Sequence, residues 1–305
     1  MSPNIQNEIL KLLSHTVLRL IQKQIGNNAF AIIVDGIQDI SGQEQESFCI
    51  RYVDEDLYPH EDFIGLYQVD ETSRPAIAQI VKDALCRHGL CMSMLRGKTY
   101  DGASNMAGKY HGAQALIKQE HPLAIYVHCG AHCTHLVMQA AAHQCPIMED
   151  ALIFVQDLGK LFGQSMKCRT TFSEIVHRET EGPLKVLHIK PLCPTRWTDR
   201  VKPVKKILDN YQLILETLEE IAITRSSGDR KPRERGLLQK YRQVKTLLGL
   251  QISLSIMEIL ECLNVALQGR EQTISELLAS VQRTHDAIQK LRCDTSFERV
   301  LATTI

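Results

Sequence analysis

Net charge is the first thing this 305-residue sequence lacks: 35 Lys and Arg stand against 35 Asp and Glu. A neutral total argues against a nucleic-acid binder that relies on a global basic field. Aromatic residues make up only 5%, with a single tryptophan, Trp197, so any indole chemistry rests on one residue. No run of 18 uninterrupted apolar residues occurs, which removes the simplest membrane span, and the opening MSPNIQNEILKLLSH lacks the basic-then-apolar layout of a secretory signal. What is present is a globular composition, 44% hydrophobic, long enough for one large or two smaller domains with a real core. The neutral total is also uneven. Residues 1–120 carry 11 basic and 15 acidic side chains, leaving 24 and 20 for residues 121–305. If a polyanion binds, the second part is its floor.

Ten cysteines without a signal peptide point to reduced thiols in a cytosolic or nuclear setting rather than to a disulfide framework. Only Cys129 and Cys133 sit close together among histidines.

Apolar residues at helical spacing over 5–25 predict an opening amphipathic helix, stopped by Gly26-Asn27-Asn28. AFAIIVD (29–35) is a short apolar run that suits a strand covered on both faces. SFCIRYV (47–53) and DFIGLYQV (62–69) read as a hairpin across the acidic turn DEDLYPHE. A helix over 74–88, a strand in CMSMLRGKTY, a helix over 104–120 and a strand in LAIYVHC follow. Beyond Gly130 the pattern is helical, with helices expected at 147–165, 201–222, 236–248, 250–268 and 270–292, and a basic loop, TRSSGDRKPRERG, at 224–236. The order β-β-β-α-β-α-β-α, then helices, predicts an α/β protein: a ribonuclease H-like mixed sheet followed by a large all-helical region.

Asp35 ends the first of these strands and Asp101 follows the fourth. In such a sheet those two strands are parallel neighbours, so both carboxylates reach one edge and one divalent cation. Mg²⁺ prefers oxygen ligands, and a two-metal phosphoryl-transfer site needs a third acidic group.

The stretches TYDGASNMAG (99–108) and IIVDGIQDISGQEQESFCIRYV (32–53) resemble catalytic segments of hAT-superfamily transposases, in the branch with domesticated zinc finger MYM-type proteins. YVHCGAHCTHLV (126–137) and the Arg-Trp of LCPTRWTDR (192–200) extend the resemblance in family order. It implies that Asp35 and Asp101 are the first two members of an Asp-Asp-Glu metal site and that Cys129 and His132 are a Cys-x-x-His pair beside it. Arg196 and Trp197, with Arg200 adding charge, match the positions that meet DNA in active relatives. The implied chemistry is DNA cleavage and strand transfer, and the implied organisation is an N-terminal helix (1–28), a partial ribonuclease H-like domain (29–145) and a helical insertion (146–305) that is incomplete at its C-terminal end.

Departures from the pattern weigh as much. No residue fills the role of the third carboxylate; Glu298 is the last candidate and precedes where the core should resume. The family's N-terminal zinc finger and dimerisation segment are not recognised. His132-Cys133-Thr134-His135 replaces the family's His-Arg-Leu-Asn. The expected protein is thus transposase-derived, without strand-transfer activity, binding Mg²⁺ weakly at most through Asp35 and Asp101, and acting in the nucleus through contacts with DNA or other proteins and none with membrane. On a continuous helix His128, His132 and His135 would share one face, but one helical turn cannot wrap a zinc ion, so zinc is not expected. Two alternatives are an active metal-dependent transposase or nuclease, and a gene fragment without function. The fragment predicts an unpaired sheet edge and exposed apolar surface.

Overall fold

The computed structural model describes residues 2–38, 41–69, 71, 73–100, 112–180, 189, 191–192, 200–224, 231–269 and 272–303. The chain divides into two compact units, one of Met1–Cys133 with Gly269–Gln272, the other of Thr134–Gln268 with Thr273–Ile305.

The first unit opens with α1 (Pro3–Ile25), which starts where Ser2 Oγ accepts the Ile5 N–H and Pro3 supplies a pre-set φ. Five strands follow: β1 (Phe30–Gln38), β2 (Glu44–Val53), β3 (Pro59–Gln68), β4 (Leu95–Tyr100) and β5 (Ile125–His128). Helix α2 (Arg74–Arg87) lies between β3 and β4, and α3 (Ala113–Glu120) between β4 and β5. They form one mixed sheet of order β3-β2-β1-β4-β5. β1, β2 and β3 pair antiparallel, whereas β4 joins β1, and β5 joins β4, in parallel. The expected antiparallel meander of the first three strands and the parallel pairing of the first with the fourth are therefore observed.

Alternation decides which face is buried. Ile32 and Val34 of β1 and Phe48, Ile50 and Tyr52 of β2 point to one face, where α2 lays Ile77, Val81, Ala84 and Leu85 and the end of α1 adds Ile21 and Ile25. Each Ile, Val, Leu or Phe side chain among these, fully buried, stabilises the unit by about 1.5–3 kcal/mol. Residues in the opposite phase on the edge strands, Phe63 and Leu66 of β3 and Ile125 and Val127 of β5, are 50 to 64% exposed.

The second unit is helical: α4 (Gly130–Gln144, whose first turn still counts with the sheet unit), α5 (Pro146–Gln164), α6 (Met166–Thr180), α7 (Val201–Asp209), α8 (Tyr211–Thr224), α9 (Lys231–Tyr241), α10 (Val244–Leu267), α11 (Ile274–Leu291) and α12 (Asp294–Ala302). Helix α5 buries Met148, Leu152, Val155, Leu158 and Phe162 at helical spacing. α10 packs along it. The two come so close at Gly249 that a Cβ there would stand 2.4 Å from the Ile147 carbonyl oxygen, a contact only glycine permits. By length and composition α10 could cross a membrane, with mean hydropathy 1.5. Here Leu250, Met257 and Leu260 place it in the core of this unit.

Four expectations need correction. The helix expected over 201–222 is two, because Asn210 leaves helical geometry and its side-chain amide caps the Lys206 carbonyl. The basic loop does not reach 236, since α9 begins at Lys231 and tolerates Pro232 in its first turn. The next helix begins at Val244, not Leu250. Finally, α6 and α12 occupy segments where no helix was expected.

Candidate functional site

β1 and β4 set the frame. Their parallel register pairs Ile32 with Lys98, Ile33 with Thr99 and Val34 with Tyr100. The next residues in sequence are Asp35 and Asp101. Asp35 is exposed, opposite Ser47 on β2, and its backbone carbonyl accepts the Ser47 hydroxyl at 3.0 Å. Asp101 lies outside the described residues, as does all of 101–111.

On the other face of the same sheet end sits a carboxylate that sequence reasoning passed over. Glu46 is only 6% exposed. It pairs with Gly36, and a Cβ on Gly36 would stand 3.7 Å from its carboxylate oxygens. The signal was in the sequence: Glu46 shares the alternation of Phe48, Ile50 and Tyr52. Burial raises the Tyr100 phenol above its ordinary range, and the neighbouring Tyr126 and Glu46 add to the effect.

β5 brings in the Cys-x-x-His pair. Tyr100 lies across from His128, and the Cys129 N–H donates to the Tyr100 carbonyl at 3.2 Å, which extends the ladder by one bond. Cys129 then opens α4, its carbonyl accepting the Cys133 N–H at 3.0 Å. His132 sits one turn in, and its ring stacks on His128 with centroids 5.6 Å apart. His128 stacks in turn beside Tyr126, and Tyr126 beside Tyr100. Tyr100 Oη and His128 Nε2 are buried and make no hydrogen bond among the described residues.

The three histidines do not share one continuous helix, because His128 is the last residue of β5 and the helix begins at Gly130. Among the described residues no group of three His, Cys, Asp or Glu side chains is arranged to hold a metal ion. Burial raises the Cys133 thiol pKa, with Cys129 adding to it. All nine described cysteines are free thiols.

Asp35, Tyr100, Cys129 and His132 thus come from the same end of three adjacent strands. Of the residues expected to meet DNA, Arg196 and Trp197 lie outside the described residues. Arg200 is described and is 8% exposed, just before α7. Sequence reasoning expected it as surface charge; in the fold most of its surface is covered.

A fold and strand edge of this kind agree with comparison to known proteins. Residues 1–112 match the family described as DUF4371, the ZMYM1/FAM200 RNase-like domain. The resemblance to zinc finger MYM-type proteins read from the motifs agrees with that match over residues 1–112. A human protein named 52 kDa repressor of the inhibitor of the protein kinase is 22% identical over 197 residues, covering 64% of this chain and 25% of its own length. The mouse protein of the same name is 22% identical over 197 residues, covering 63% of this chain and 25% of its own length. The chain therefore spans about a quarter of the length of these relatives.

Proposed function

We propose that the chain is a domesticated transposase module of ribonuclease H-like topology that works in the nucleus by contacting DNA or protein, without cutting DNA. The observation that carries this reading is the parallel β1–β4 register, which sets Val34 opposite Tyr100, so that the next residue in sequence is an aspartate on both sides, Asp35 within β1 and Asp101 just after β4. A sheet of order β3-β2-β1-β4-β5 is what a ribonuclease H-like core requires. The naming of the human and mouse relatives as repressors supports a non-catalytic role and a nuclear location.

The chemistry of the pair supports the absence of cleavage. Asp35 and Asp101 would hold a divalent cation, which when bound stabilises charge on a phosphoryl oxygen. A phosphoryl-transfer site of the two-metal kind needs a third carboxylate, and none of the four motifs that carry the resemblance, within residues 32–200, supplies one. Glu46 does not serve, because alternation sends it to the sheet face opposite Asp35. Arg196 and Trp197 would provide DNA contact, while Arg200, being covered, would brace their segment rather than reach a phosphate.

The test combines two titrations on wild type and Asp101→Asn. Calorimetry with Mg²⁺ or Mn²⁺ should give one weak site that the substitution removes. A duplex-DNA binding assay should give a salt-dependent affinity that Asp101→Asn leaves in place and Arg196→Ala weakens. Metal-dependent cleavage of the DNA by wild type, abolished in Asp101→Asn, would overturn the proposal.

A further inference from the structure

Most of α1 is exposed. Its last two turns anchor it through Ile21 and Ile25, with Leu18 packed alongside. The earlier turns carry Ile9, Leu10, Leu12, Leu13, Val17 and Leu20, all 40 to 66% exposed. At roughly 100° per residue these six spread over an arc of about 160° on one side of the helix. Ile21 and Ile25 fall beyond one margin of that arc, so anchoring α1 does not use it up.

The arc is prepared for burial. Between Ile9 and Leu20 it contains no charged side chain, Lys23 lying beyond that span, and its one hydroxyl, on Thr16, already donates to the Leu12 carbonyl at 2.9 Å. Covering it would leave no polar group stranded. We propose that α1 pairs antiparallel with α1 of a second copy of this chain.

Charge placement selects this occupant and orientation. Glu8 and Arg19, both exposed, flank the arc on the same margin, and the opposite margin bears no charge. In an antiparallel helix pair each margin meets the same margin of its copy, so Glu8 of one protomer faces Arg19 of the other, twice. The two-fold axis that joins these charges passes beside Leu13. It also sets Leu10 of one protomer against Val17 of the other, so charge and apolar registers agree. In a parallel pair Glu8 would face the uncharged margin. The six side chains offer on the order of 600 Å² per protomer, close to the roughly 800 Å² per partner of a standard interface. A lipid surface fits less well, because interfacial helices carry aromatic anchors and a dense basic face. α1 has no aromatic residue and only Lys11, Arg19 and Lys23 as strong bases, partly offset by Glu8.

The test is the mass of the full 305-residue chain in solution by sedimentation equilibrium. Wild type should weigh twice 34.5 kDa. Leu13→Glu with Val17→Glu should give the single mass and the wild-type melting curve, since both side chains are exposed. Glu8→Arg and Arg19→Glu should each weaken the dimer several-fold, and the two together should restore it. A wild-type monomer up to about 100 µM, a dimer indifferent to Leu13 and Val17, charge reversals that do not rescue one another, or capture of the helix by anionic vesicles in place of dimerisation would each overturn the proposal.

Discussion

Val34 and Tyr100 face one another across the parallel β1–β4 pair, and three positions below them in the same ladder Ala31 faces Gly97 at close range. A Cβ at Gly97 would stand 3.0 Å from the Ala31 Cβ. Gly97→Val would have to push the two strands apart. The expected loss is about 1–3 kcal/mol of stability in urea unfolding, accompanied by loss of whatever Asp35 and Asp101 hold jointly.

Lys98 is fully buried in the neighbouring position, and its ammonium donates to the Ala124 carbonyl. Burial, with Lys118 adding like charge, lowers its pKa to about 8. The sign is that of a base depressed on folding: between about pH 8 and the unfolded lysine value near 10.4 the unfolded chain binds more protons. Stability should therefore rise from pH 8 to pH 10. Lys98→Met should flatten that slope, as read by melting temperature across the pH series.

In the helical unit, Tyr211 and Tyr241 stack with centroids 4.1 Å apart, and each hydroxyl donates to the other's backbone carbonyl. This clasp joins α8 to α9 beside an ion pair between Glu219 of α8 and Arg242, the residue after α9. Tyr241→Phe, which removes one donor, should cost about 1 kcal/mol. Tyr241→Ala, which also empties the space against Phe154, should cost about 3–5 kcal/mol. Equal losses from the two substitutions would show that the ring packing contributes little.

Cys293 precedes α12 on the surface, its sulfur within 3.2 Å of the Thr295 and Ser296 hydroxyls. Those hydrogen bonds, Ser296 first, lower its pKa to about 7. Alkylation by iodoacetamide, followed by peptide mass spectrometry, should show a rate at Cys293 that reaches half its plateau near pH 7. Ser296→Ala should move that midpoint upward.

How much of this could be read from residue order differs by element. The five strands were legible because each signals by composition alone: a short apolar run in β1, alternation in β2. Their order was legible because connection lengths decide which neighbours are antiparallel. Helix α6 was not, and the expected helices leave a gap between 165 and 201. In the fold Ser165 ends α5 and also opens α6, its hydroxyl accepting the Cys168 N–H at 3.2 Å. The buried spacing Cys168, Phe172, Ile175, Val176 shows only if cysteine is counted as apolar. Glu46 was missed for the opposite reason: a carboxylate in a buried phase of a strand looks like an error of register until the sheet is seen. The break at Asn210 escaped because the apolar period runs through it.

The exposed edge-strand residues Phe63, Leu66, Ile125 and Val127 carry a practical consequence for anyone who handles the molecule. Salts excluded from protein surfaces strengthen apolar association. Ammonium sulfate should therefore draw this protein from solution at lower concentration than its neutral charge alone would suggest, while sodium chloride should not. Replacing Ile125 and Val127 by threonine, which keeps the strand's branched shape, should raise that sulfate threshold.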